Sequence, residues 1–99
     1  MSRPVPKRRL TEADIESQIR DYLAVKGFLV LPKPAFPRGQ PDILAVKDNR
    51  VLFVEIKRPD KRASLGPAQK RWQQRLEAYG CTYQVWTSLE EAIEQQKEE

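Results

Sequence analysis

The tightest constraint on this chain is a pair of apolar runs separated by two residues. Asp42-Ile43-Leu44-Ala45-Val46-Lys47 and Arg50-Val51-Leu52-Phe53-Val54-Glu55-Ile56-Lys57 flank Asp48-Asn49. Runs rich in β-branched and aromatic residues read as strands. Asp and Asn tolerate positive φ, which suits a two-residue hairpin turn. That turn sets the register: Lys47 opposes Arg50, Val46 opposes Val51, Leu44 opposes Phe53 and Asp42 opposes Glu55. Directly opposed residues share a face, and strand alternation places Lys57 on it too. The other face carries Ile43, Ala45, Leu52, Val54 and Ile56. With apolar residues on both faces, the hairpin is expected to be central and covered on both sides. A slip of one residue would separate the three polar groups.

Two carboxylates about 5 Å apart repel by roughly 3 kcal/mol at an effective dielectric near 20. A divalent cation reverses the sign of that term. Asp42 and Glu55 offer hard oxygen ligands of the kind Mg²⁺ and Mn²⁺ take, and the Ile56 carbonyl could supply another. Lys57, on the same face, could orient a water or neutralise charge building on a phosphate. The residues thus suit phosphodiester hydrolysis. The bland alternative is a salt-bridged strand end.

Composition narrows the chemistry further. Histidine is absent from the 99 residues, which removes histidine triads, histidine bases and histidine metal sites together. The single cysteine, Cys81, excludes an internal disulfide and zinc sites built on paired cysteines. No apolar run approaches the roughly 20 residues of a membrane span, and no secretory signal pattern is visible. A soluble, cytoplasmic protein of a bacterial or phage-infected cell is expected, with no membrane partner. The net charge of +4 is unevenly spread. Arg3, Lys7, Arg8 and Arg9 fall in the first ten residues without an acid, and a second basic band runs from Lys57 to Arg75 against Asp60 alone. Charged helix faces are often merely solvated. A basic band beside paired carboxylates points instead to a polyanion, and to nucleic acid in particular.

Along the chain, residues 1–10 read as a flexible basic arm and 11–99 as a single domain. Thr11 to Asp14 resembles a capping box opening a helix. Ile15, Ile19, Tyr22, Leu23 and Lys26 mark its stripe, and Gly27 its stop. Phe28 to Leu31 is a first strand, ended by a loop carrying Pro32, Pro34, Pro37 and Pro41. After the hairpin, Ser64 or Gly66 caps a second helix with Pro67 in its first turn. Ala68, Trp72, Leu76 and Tyr79 are its expected inner surface. Cys81 to Thr87 is a fourth strand, with Tyr83 and Trp86 on opposite faces and one of them open to solvent. Ser88 to Glu91 caps a last helix. The order α-β-β-β-α-β-α predicts an α/β fold, a mixed sheet flanked by helices, with the two long helices on opposite faces.

Pro41-Asp42 followed by Glu55-Ile56-Lys57 at the end of an apolar strand resembles the PD-(D/E)xK nuclease superfamily. The surrounding order is more specific: an acid in a first helix that ends at Gly27, Gly39-Gln40-Pro41-Asp42-Ile43-Leu44 entering the hairpin, Phe53 to Pro59 leaving it, then Gln69 and Trp72 in a helix ending at Gly80. That run, from Glu12 to Ser88, resembles the small stand-alone form of the VRR-NUC branch, the virus-type replication-repair nucleases. It is similar in layout to archaeal Holliday junction resolvases.

The resemblance implies a restriction-endonuclease-like core and a Mg²⁺- or Mn²⁺-dependent DNA endonuclease. It gives Asp42 and Glu55 as metal ligands, Lys57 as the catalytic lysine, Glu16 as the first-helix acid and Gln69 as the glutamine near the active site. Glu12 competes with Glu16, but capping at the helix start also explains Glu12. Lys61, Arg62, Lys70, Arg71, Arg8 and Arg9 are expected to contact phosphates. Such contacts position a nucleic acid without reading its sequence, so selectivity for a branched structure such as a Holliday junction is expected. The resemblance also implies a homodimer, which would supply two cuts related by a twofold axis. The alternatives are a catalytically weak DNA-binding module of the same fold and a restriction-type or RNA-directed nuclease.

Overall fold

Asp48 and Asn49 both take positive φ, 49° and 67°, as a tight hairpin turn with both central residues left-handed requires. The computed structural model describes residues 10–32, 39–61 and 65–97, Lys61 by its backbone alone. The expected arm up to residue 9, Arg62, Ser64 and the proline-rich loop from 33 to 38 lie outside the described residues. The elements run α1 (Glu12–Val25), β1 (Leu29–Val30), β2 (Ile43–Lys47), β3 (Arg50–Ile56), a 3₁₀ turn (Pro59–Lys61), α2 (Pro67–Ala78), β4 (Thr82–Trp86) and α3 (Leu89–Lys97). This is the α-β-β-β-α-β-α order that the hydrophobic pattern predicts.

The strands form one mixed sheet in the order β1-β2-β3-β4. β1, β2 and β3 pair antiparallel, and β4 joins β3 in parallel after the α2 crossover. The hairpin register is the expected one, from Lys47 opposite Arg50 to Ile43 opposite Val54. One face of the sheet makes the core: Ile43, Ala45, Leu52, Val54, Ile56 and Trp86 pack with Ile15, Ile19 and Leu23 of α1, Phe28, and Ala92 of α3. Burying such a side chain contributes about 1.5–3 kcal/mol.

Local chemistry fixes the helix ends. Thr11 Oγ1 accepts the Asp14 N–H at 3.0 Å, and Asp14 Oδ2 accepts the Thr11 N–H at 3.0 Å. Ser88 Oγ accepts the Glu91 N–H at 3.0 Å, while Glu91 Oε1 reaches back to the Thr87 N–H at 2.8 Å. Gly27 and Gly80 follow α1 and α2 at φ of 96° and 85°, a left-handed stop that suits glycine.

Three expectations change. The inner surface assigned to α2 is not a buried one: no residue of α2 is buried, and Tyr79 is 86% exposed. The half-buried side of the helix interleaves Gln69 and Gln73 with Trp72 and Leu76, so too little of it is apolar to seal a core. Trp72 is half-buried rather than a core residue, with the Arg75 guanidinium 4.9 Å from its ring centroid. Tyr83 and Trp86 do point to opposite faces, but both are buried, because α2 covers β4 on one side and α3 packs against it on the other. Lys26, assigned to the α1 stripe, is exposed at the helix end. No helix among the described residues is long and apolar enough to cross a membrane.

Candidate metal and catalytic site

Strand parity brings the polar ends of the hairpin together on the face away from the core. The ladder ends at Ile43–Val54, so Asp42 lies just beyond it. Its N–H bonds the Val54 carbonyl at 2.9 Å. Its carboxylate then replaces the next rung: Oδ2 accepts the Ile56 N–H at 2.8 Å. Lys57 continues β3, its N–H bonding the Trp86 carbonyl at 3.1 Å. Asp42 and Lys57 are half-buried, and Glu55 between them is 4% exposed.

Glu55 carries the electrostatic tension of the site. Burial and then the facing Asp42 carboxylate push its pKa from 4.5 up to about 8. Asp42 also hydrogen-bonds the protonated form, Lys57 pulls the other way, and Glu12 adds a smaller rise. Glu55 Oε2 accepts the Gln69 Nε2–H at 2.9 Å, and Gln69 Oε1 in turn accepts the Gly66 N–H at 2.9 Å. Gln69 thus ties the first turn of α2 to the end of β3. When Glu55 is ionised, its buried Oε1 meets no hydrogen-bond donor among the described residues. The Tyr83 hydroxyl is likewise buried without a partner, and burial followed by the Glu55 and Asp42 charges holds its pKa up.

A buried carboxylate oxygen without a donor, beside a second carboxylate, is a chemical fit for a hard cation. Among the described residues no group of three or more His, Cys, Asp and Glu side chains is placed to hold a metal. Mg²⁺ is commonly held by one or two carboxylates and several waters. Asp42 and Glu55 match that smaller requirement, with the Ile56 N–H already bonded to Asp42.

The two first-helix acids have different partners. Glu12 Oε2 accepts the Arg58 N–H at 3.3 Å, and its charge acts on Glu55. Glu16 instead accepts Arg20 Nε at 2.8 Å. The acid explained by sequence as a cap is therefore the one whose charge is felt at the site. Lys70 and Arg71 are exposed on α2. The Lys61 side chain, Arg62, Arg8 and Arg9 lie outside the described residues.

Arg20 escaped the sequence reading, and Gly39 entered it only as part of the run leading into the hairpin. Gly39 has φ of 95°, and a Cβ there would stand 2.7 Å from the Ala68 Cβ. The chain entering β2 therefore packs directly on the first turn of α2, next to Gln69. Arg20 reaches from α1 to the Leu31 and Asp42 carbonyls, each at 2.9 Å. Its only sequence signal is the i,i+4 spacing from Glu16. No model of a known protein family matches the chain, and no curated protein matches it.

Proposed function

We propose that this chain is a Mg²⁺- or Mn²⁺-dependent DNA endonuclease of the VRR-NUC branch, acting on branched duplexes such as four-way junctions. The observation that carries the reading is the convergence of Asp42, Glu55 and Lys57 at one strand end, with Gln69 fastened to Glu55. A structural ion pair would leave neither a buried oxygen unsatisfied nor a carboxyl held near 8.

Asp42, Glu55 and the Ile56 carbonyl would hold the cation. When bound, the cation supplies Lewis acidity toward a phosphate oxygen and lowers the pKa of a coordinated water. To serve as a ligand, Glu55 would release its proton to solvent. Gln69 keeps Glu55 Oε2 in place by donating to it. Lys57 orients the attacking water and neutralises negative charge as its oxygen bonds phosphorus. The P–O bond to the leaving strand breaks; the attacking water loses a proton to solvent and the leaving oxygen takes one up, giving a phosphomonoester and a hydroxyl. Lys70 and Arg71 hold neighbouring phosphates. A homodimer would give the two active sites that a junction needs.

The test is a cleavage panel of linear duplex, four-way junction, flap and RNA, each with Mg²⁺, Mn²⁺ or EDTA. Metal-dependent cutting favouring the junction is expected. Lys57→Ala should abolish cutting and keep most binding. Cutting in EDTA, or cleavage unchanged in Lys57→Ala, would overturn the reading. Metal-independent binding without cutting would leave a DNA-binding module.

A further inference from the structure

Asp42 is held from both sides of its peptide, and one of the holders lies in a different element. The Arg20 guanidinium uses three nitrogens: Nε donates to Glu16 Oε2 at 2.8 Å, one Nη to the Leu31 carbonyl at 2.9 Å and the other Nη to the Asp42 carbonyl at 2.9 Å. Leu31 follows β1 and Asp42 precedes β2, so this fork ties the end of β1 and the start of β2 to α1. The Arg20 and Glu16 side chains are 22% and 19% exposed, sheltered enough for charge-assisted bonds to be strong.

We propose that Arg20 is a positioning residue for the Asp42 carboxylate. Asp42 lies past the last rung of the β2–β3 ladder, where strand pairing holds it by its N–H alone. Its N–H is anchored on Val54, its carbonyl on Arg20, and its Oδ2 on the Ile56 N–H. Releasing the carbonyl frees the peptide following Asp42 to rotate, and the carboxylate then loses its fixed approach to Ile56 and Glu55. A planar guanidinium can serve two carbonyls and a carboxylate at once. A lysine ammonium lacks that fork. Glu16 sets the plane of the guanidinium, which gives that acid a supporting place behind the site. The bearing of this on cation binding rests on the proposed nuclease reading, but the geometry of Asp42 does not.

The experiment reads both quantities separately, in Arg20→Lys and Glu16→Gln. Amide hydrogen exchange at Ile56 in the metal-free protein reports the Asp42–Ile56 bond. It should quicken about tenfold in Arg20→Lys, the weight of one such hydrogen bond, with Val54 and Leu52 unchanged as internal controls. Mn²⁺ affinity, followed by electron paramagnetic resonance, should fall about 10- to 100-fold, as for other groups that orient a metal ligand. Glu16→Gln should move both in the same direction by less, and stands in if Arg20→Lys does not fold. Unchanged Ile56 exchange in a folded variant overturns the proposal. Faster Ile56 exchange with no Mn²⁺ uptake by the parent protein supports the positioning role and overturns the cation site instead.

Discussion

Replacing Glu55 with Gln should reshape how stability depends on pH. The native protein holds the Glu55 proton up to about 8, whereas the unfolded chain releases it near 4.5. The folded pKa is raised, so the stability that Glu55 contributes is fully present below 4.5 and is lost as pH rises through 8. At about 1.4 kcal/mol per pH unit, the native state gives up about 3 kcal/mol between pH 4.5 and pH 7. A glutamine amide mimics the protonated acid: it can still accept from Gln69 and donate to Asp42, but it has no proton to lose. Urea unfolding of parent and Glu55→Gln at pH 4.5, 7 and 8.5 measures the difference directly, because the other titrating groups largely cancel. The variant should gain about 3 kcal/mol relative to the parent by pH 7, moving the urea midpoint on the order of 1–3 M. Millimolar Mg²⁺ should recover much of the loss in the parent and little in the variant. Parallel pH profiles for the two proteins would refute the reasoning, since they would mean that Glu55 ionises in the folded state as easily as in water.

Gly39→Ala should destabilise the fold by about 1–3 kcal/mol in thermal or urea unfolding, because the new methyl group overlaps Ala68 and the backbone is left-handed there. Gln69→Ala should cost about 1–3 kcal/mol by leaving Glu55 Oε2 without its donor and the Gly66 N–H without its acceptor. The same variant should weaken Mn²⁺ affinity, read by titration calorimetry. In fluorescence-anisotropy titrations against salt, Lys70→Gln with Arg71→Gln should lower the magnitude of the log K against log salt slope by about 2, with little change in preference among sequences.

The hairpin was legible because its information is local: alternating apolar residues and two turn residues that accept positive φ set the register, and with it the company of Asp42, Glu55 and Lys57. Gln69 was found through a motif, and its bridge to Glu55 is a contact that spacing alone does not reveal. The α2 stripe misled because Trp72, Leu76 and Tyr79 satisfy helical periodicity, while Gln69 and Gln73 dilute the surface that actually meets the sheet. The choice between Glu12 and Glu16 turned on the direction of side chains from one helix, about a turn apart. Arg20 was invisible for a different reason: two of its three partners are main-chain carbonyls, which carry no sequence identity.

The thin seating of α2 has a consequence for how water reaches Glu55. An element without buried side chains is held by little apolar area, and such elements open at lower free-energy cost than the core. Each excursion of its first turn would withdraw the amide that shields Glu55 and flood the carboxyl with solvent. Opening of this helix, on the far side of the sheet from the rigid core, would lower the pKa of that group by removing the burial that raises it, and anything that clamps the helix down would hold it up.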